Sequence, residues 1–449
     1  MATRGPTTDQ LQLVVVDART GLVRRLLRPG VPPHLPQCLR VVCAELADST
    51  RFGPWTTDVA VVGLALWDDA AATHAALAAA VESYAGNFVT ARLRRSTYAE
   101  LTAGGERVLD PTTLSLYSDA QYAAPGFPFV PFDPDLSLRW ARGRTMTGHE
   151  AVWVPASLAW TARPDETGEP EAATHATLHT AIASGPTRQA AERAALFSLI
   201  EADARELTWH SGAVGRRLDV GGHLAALGRG PTGRLRTTFV EFASEFGPPS
   251  VGVLVRDRSL GYLTLGTSWR PATVRGTALH EAFAQALHGQ MIAADLDDPD
   301  SGFEALRVDP SSPLKPWRDD RRYLSSYRPD WRDAGDPACH LQAYLDPALA
   351  DRLESDVGQW PLAAPTSPTQ SPGPAADELL SRLAAAGITP VSVDLTPSGF
   401  ARTGLVVVRV IAPALYSSGP AAYPFLGGAR LDAARAAAPG PPRDYPLPC

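Results

Sequence analysis

Cysteine is scarce in this chain. Cys38, Cys43, Cys339 and Cys449 are scattered over 449 residues with no Cys-x-x-Cys pair, so neither a disulfide framework nor a zinc site is supported. The ten histidines are equally dispersed. Several familiar signatures are also missing: Gly-x-Gly-x-x-Gly after a strand, a Walker A loop, Gly-x-Ser-x-Gly and His-Glu-x-x-His. No apolar run approaches the length of a membrane helix. The N-terminus, MATRGPTTDQLQLVVVDARTG, carries no export signal, so the expected location is the cytosol and no membrane partner is expected. A basic excess is lacking too. The formal net charge of −7 argues against nucleic acid or anionic membranes as partners. The local runs Arg92–Arg95 and Arg318–Arg322 read as solvated surface. Lysine is nearly absent beside arginine, whereas alanine and proline abound; that bias reflects a GC-rich genome more than a mechanism.

The most informative stretch is Thr174–Trp209. It opens with small and β-branched residues, breaks at Ser184-Gly185-Pro186-Thr187, and runs without Gly or Pro from Arg188 to Trp209. Gly-Pro marks the turn and Thr187 is placed to cap a helix. Leu196, Ile200 and Leu207 recur at helical spacing and mark a core face. Strand, tight turn and helix recur at Val59–Tyr84 and Leu263–Ala293, which predicts a pseudo-symmetric α/β core with three converging helix ends.

Elsewhere, Leu11–Asp17 reads as a strand with Leu22–Leu27 as its hairpin partner. Cys38–Leu46 and Asp58–Leu66 read as apolar strands. Ala70–Tyr84 is an alanine-rich helix, packed through Leu77, Val81 and Tyr84 and capped by Gly86. Residues 109–155 are turn-rich and aromatic, and read as an ordered segment that is either a peptide-binding surface or a packed loop core. Strands are expected at Thr238–Phe242, Ser250–Val255, Val391–Thr396 and Gly404–Pro413, and a helix at Asp377–Ala386. The Pro/Ser/Thr-rich run 361–374 reads as a mobile linker. One domain over residues 11–435 is expected, followed by an extended proline-rich tail, 436–449.

Three groups of residues resemble the YcaO superfamily. The first is Tyr117, Gln121, Tyr122, Phe127–Phe129, Pro131–Asp133, Trp140 and Val154–Ala156. The second, Thr180–Gly185 with Thr187, follows the family's Asn-Gly-x-Ala-x-Gly-x-Thr. The third, Ser198, Glu201, Ala202, Asp203 and Ala204, follows Glu-x-x-Glu-Arg-Asp-Ala. The resemblance implies a mixed α/β (α+β) YcaO-like fold and work on a ribosomally made precursor peptide, with ATP and Mg²⁺ as cofactors. In azoline-forming members a Cys, Ser or Thr side chain attacks the preceding amide carbonyl, and phosphorylation then removes the oxygen as phosphate. Such chemistry needs positioned charge around phosphates rather than a protein nucleophile.

The family's charged positions are largely replaced. Ala79, Glu82 and Ser83 stand where Glu, Glu and Arg are expected, and Ser198, Glu201 and Ala202 fill the same roles in the next helix. In the third helix Glu281, Ala282, Gln285 and His288 match Arg-Ala-x-x-Glu-x-x-Gln. Glu82, Glu201 and Thr180, which replaces the strand asparagine, are therefore the remnant positions of the family's ATP/Mg²⁺ site. Each reads equally as an ordinary polar residue beside a cleft. No residue is assigned a catalytic role, and no metal ligand set is assigned. Azoline-forming members often end Pro-x-Pro-x-Pro with the tail directed into the site; here the end is Pro446-Leu447-Pro448-Cys449. With no leader-binding winged helix recognised, the resemblance implies a separate leader-peptide-binding partner, a second YcaO protein, and a homo- or heterodimer. Two readings stay open: an azoline-installing component that uses ATP through altered residues, and a degenerate scaffold or activator of an intact YcaO protein.

Overall fold

The computed structural model describes residues 5–48, 58–89, 91–161, 171–270, 275–363 and 376–448. Among them the chain forms three antiparallel or largely antiparallel sheets, each tied to one long helix. The first holds β1 (Val23–Leu27), β2 (Leu39–Leu46) and β3 (Ala60–Leu66) in sequence order. The second has the order β4 (Arg94–Ser96), β5 (Leu138–Thr145), β12 (Val391–Asp394), β13 (Val406–Ile411) and β7 (Ile182–Gly185), with β6 (Ala151–Pro155) also on β5. The third runs β11 (Leu263–Ser268), β10 (Ser250–Asp257), β9 (Leu235–Phe242) and β8 (Arg216–Leu218).

The helices are α1 (Thr8–Val15), α2 (Asp69–Asn87), α3 (Arg188–Ser211) and α4 (Arg275–Asp297), with shorter ones between. The expected repeat is present: β3 leads to α2, β7 to α3 and β11 to α4. Each strand carries one glycine pressed against the backbone of its helix. A Cβ on Gly63 would fall 2.1 Å from the Ala72 carbonyl oxygen, on Gly185 2.7 Å from the Ala191 nitrogen, and on Gly266 2.0 Å from the Ala282 oxygen. Alanines on the facing helices complete this close approach, and Ala72, Ala76, Ala191, Ala282 and Ala286 are all buried.

Thr187 caps α3 as anticipated, its hydroxyl accepting from the Ala190 N–H at 3.2 Å. Leu196 and Ile200 are fully buried, and Leu207 packs partly buried against the core. α4 closes a core shared by two sheets, in which Phe283 and Leu287 meet Leu39, Val41, Val251 and Val253. The aromatic segment is a packed core. Tyr117 stacks on Phe129 at 5.2 Å and meets Phe127 edge-on at 4.8 Å. Its hydroxyl accepts from the Ala176 N–H at 3.0 Å.

Four expectations need revision. Leu11–Asp17 is mostly helical, because Thr7 and Gln10 form a reciprocal capping box and Leu11 and Val15, one turn apart, are the buried pair. β1 therefore pairs along its length with β2 and meets that stretch only at its first residue, through the isolated Val16–Val23 bridge. Gly86 does not cap α2, which runs on through Asn87; Gly86 instead gives Ile182 room, a Cβ there falling 2.8 Å from its Cδ1. Residues 109–155 include two regular strands, β5 and β6. Of the 361–374 run, Pro361–Ala363 pairs with Arg217 through two backbone hydrogen bonds, and residues 364–374 lie outside the described residues.

The tail is extended and docked. Tyr445–Pro448 are buried. Trp209 Nε1 donates to the Tyr445 carbonyl at 2.6 Å, Tyr344 Oη to that of Pro446 at 2.7 Å, and the Leu265 N–H to that of Pro448 at 3.1 Å. Proline brings no N–H of its own, so burying Pro446 and Pro448 leaves only carbonyls to satisfy. The last of these bonds also covers the open edge of β11. Cys449 lies outside the described residues.

The glycine contacts generate a stability test. Gly63→Ala is expected to cost about 1–3 kcal/mol through overpacking, whereas Gly30→Ala, with nothing within 4 Å of its Cβ, is expected to stay within about 0.5 kcal/mol. Urea midpoints of the two variants check this, and equal midpoints would contradict the close-approach account.

Candidate functional site

The positions the resemblance picks out, Thr180, Glu82 and Glu201, lie just before β7, on α2 and on α3, and each is held by hydrogen bonds. Thr180 precedes β7 and its Oγ1 accepts from the Ser418 N–H at 3.4 Å. The Ser418 hydroxyl accepts from the Arg205 guanidinium. Arg205, which is 7 % exposed, also donates to Glu201 at 2.6 Å, to Thr267 Oγ1 at 2.9 Å, and to Glu206 through two nitrogens at 3.2 and 3.3 Å. The Thr267 N–H in turn donates to Gln285 Oε1 at 3.1 Å. One continuous network thus joins Thr180, Glu201 and Gln285 across α3, β11 and α4.

Glu82 is held elsewhere on β7. Its Oε1 accepts both the N–H and the hydroxyl of Ser184, each at 2.7 Å. Burial pushes its carboxyl above the usual range despite these two donors. Among the described residues Glu82 and Glu201 share no partner. Ser83 donates to Asp58 at 2.7 Å, Glu281 accepts from Ser268 and Arg270, and burial lowers His288 to about 4, so it is neutral near pH 7. Ala202 is buried and Ala79 and Ser198 partly so. Pro446 and Pro448 anchor at Tyr344 and Leu265, the latter two residues from Thr267.

Ala181 occupies the left-handed region with φ 68°, an unusual place for a residue with a Cβ. Its carbonyl accepts from the Val410 N–H at 3.0 Å, which ties the bend to β13.

The central cation, Arg205, was not singled out from the sequence. The available signal was its i,i+4 spacing from Glu201, with the acid N-terminal to the base. Ser418 carried no signal, being 213 residues away. Burial raises Glu206, but the hydrogen bond from His210 and the charge of Arg205 outweigh it and hold the carboxyl at about 2.

A carboxyl depressed in the folded state contributes stability above its ordinary value near 4.5, and that contribution is lost as pH falls toward 2. Arg205→Met strands two glutamates without their cation and is expected to cost about 3–5 kcal/mol at pH 7. The deficit should shrink as pH falls from about 4.5 toward 2, where the Glu206 carboxyl protonates. Urea unfolding at pH 7 and pH 3 measures it, and a pH-independent deficit would contradict this assignment.

Residues 67–416 match the family model described as YcaO cyclodehydratase, ATP- and Mg²⁺-binding. No curated protein matches the sequence. Among solved structures, a heterocyclase in complex with substrate and cofactor is similar at TM-score 0.61 and 20 % identity, over 92 % of this chain and 53 % of that one. This chain thus spans about half of that heterocyclase. YcaO from Methanopyrus kandleri bound with AMPPCP and Mg²⁺ gives TM-score 0.55 at 16 % identity, over 88 % of this chain and 86 % of that one. A chain of the E. coli microcin synthetase McbBCD complex with pro-MccB17 bound gives 0.56 at 12 %, over 90 % and 91 %. At these identities the structural likeness speaks for the fold, and the family match covers most of the sequence. The chain belongs to the YcaO cyclodehydratase family.

Proposed function

We propose that this protein is a component of a cytosolic cyclodehydratase system that installs thiazolines or oxazolines in a ribosomally made precursor peptide. We further propose that within it the chain serves as scaffold or activator for a motif-complete YcaO partner and binds peptide rather than consuming ATP. The observation that carries this reading is the buried Arg205 guanidinium closed on Glu201 and Glu206. A built-in cation already neutralises the carboxylate that a metal ion would need. The rest of the donor set fits Mg²⁺-nucleotide no better. Glu82 is engaged by Ser184, Gln285 is neutral and accepts from Thr267, and His288 is neutral. Among the described residues no three His, Cys, Asp or Glu side chains gather where one ion could be held. Mg²⁺ requires near-octahedral oxygen ligation and gives up water reluctantly, and these side chains do not fit that demand.

Two solved relatives support the peptide and complex parts of the proposal: one is a heterocyclase with its substrate, the other a multi-protein synthetase with a pro-peptide bound. By analogy, a separate protein captures the leader and a second YcaO protein supplies the nucleotide site, giving a heterodimer at least. No described helix is long and apolar enough to cross a membrane.

Each lost charge-assisted phosphate contact costs about 1.5–3 kcal/mol, and about 1.4 kcal/mol is tenfold in affinity. Calorimetric titration of the isolated chain with Mg²⁺ and ATP is therefore expected to show no binding below about 1 mM. Micromolar, Mg²⁺-dependent binding would overturn the proposal. Adding the chain to a motif-complete YcaO partner is expected to raise the cyclodehydration rate. Full activity from this chain with only a leader-binding protein would equally overturn it.

A further inference from the structure

β13 alternates its side chains between two cores. Val408 and Val410 join the cluster around α3, while Val407 and Ile411 face the larger core behind the aromatic segment. Arg409 shares the face of Val407 and Ile411, since alternate strand residues point the same way. It is 2 % exposed. Its guanidinium donates to the Leu178 carbonyl at 2.9 Å, one bond from a group with five N–H donors and a fixed charge. Burial draws its pKa down to about 9 with no acidic neighbour opposing the shift, so the group is still a cation at neutral pH.

The other buried arginines are treated differently. Arg205 meets two glutamates and two hydroxyls. Arg307 reaches the carbonyls of Leu296, Asp298 and Pro299. Arg409 sits beside a partly open cavity of about 30 Å³ lined by its own side chain with Ser115, Ser417, Leu178, Leu199 and Phe425 among others. One water occupies roughly 10–15 Å³ by this measure, so there is space for about two waters or one small anion. The walls are otherwise apolar, which strengthens the pull of an unpaired cation on an anion.

We propose that this cavity is a binding site for a small monovalent anion of carboxylate size, held by the Arg409 guanidinium with the Ser417 hydroxyl as a second donor. A planar carboxylate matches the guanidinium fork. Phosphate or sulfate carries more charge and more oxygens than these few donors can serve. Water alone would satisfy the donors but leave the charge uncompensated. The site adjoins the network described above, because Ser417 precedes Ser418, whose N–H reaches Thr180.

Crystals of the full chain soaked in sodium bromide provide the direct test. An anomalous peak within hydrogen-bonding distance of the Arg409 guanidinium is the expected result, and water alone at that position would overturn the proposal. In solution, sodium formate at constant ionic strength is expected to raise the melting temperature saturably. Ser417→Val, which keeps Arg409 in place but fills the cavity, is expected to abolish that rise, as is Arg409→Gln if it folds. An undiminished rise in Ser417→Val, or a rise that never saturates in the unaltered protein, would overturn it.

Discussion

Backbone-to-backbone contact between strand and helix is the constraint on which this architecture rests. At Gly63, Gly185 and Gly266 the strand lies so close to its helix that a single methyl would collide with main-chain atoms. Main chain cannot swing aside as a side chain can, so these three contacts fix how far each helix stands from its sheet. They also fix its rotation, because only the alanine-bearing stripe of each helix can lie against a glycine. Gly266 and the Ala282–Ala286 turn thereby place Gln285 against Thr267. Gly185 and the start of α3 set the line along which Glu201, Arg205 and Glu206 emerge.

Charge inside the fold follows from that geometry. With α3 and α4 held close to their strands, Arg205 is largely shielded from bulk water and is satisfied internally. Two carboxylates and two hydroxyls do so. Removing one member of such a group leaves the others buried and uncompensated, which costs more than the intact group contributes. The same logic holds for Asp203. It is 1 % exposed and accepts two bonds from Arg430, at 2.7 and 2.9 Å, and one from the Tyr416 N–H at 2.9 Å. Asp203 matches the aspartate of the family motif and is held by Arg430 and Tyr416, whereas Glu201 is paired with Arg205 on its own helix.

What could be read from the sequence divides along the range of the interactions involved. The β7–α3 unit was legible because its signals are local: a Gly-Pro break, a capping threonine and a 3.6-residue apolar period within a few turns. α1 was misread because LQLVVVD carries a strand-like composition, and the deciding Thr7–Gln10 box lies just before it. Gly86 looked like a helix stop because its reason for being small, Ile182, is 96 positions away. For the candidate site, Thr180, Glu82 and Glu201 could be located by motif and Arg205 lies within helical reach of Glu201, but the remaining partners could not. Ser184 lies 102 residues from Glu82 and Ser418 lies 213 residues from Arg205. No periodicity reports such contacts.

Ala181 shows how the frame of the site is held. It stands where the family motif has glycine, yet it holds φ 68°, a conformation that costs a residue with a Cβ about 1–2 kcal/mol. The bend is held because the Ala181 carbonyl is hydrogen-bonded to the Val410 N–H and the strand that follows is locked through Gly185 onto α3. Packing of β7 between β13 and α3 therefore imposes the turn. The frame of the site is a property of the fold, and the side chains set upon it decide what the site can hold.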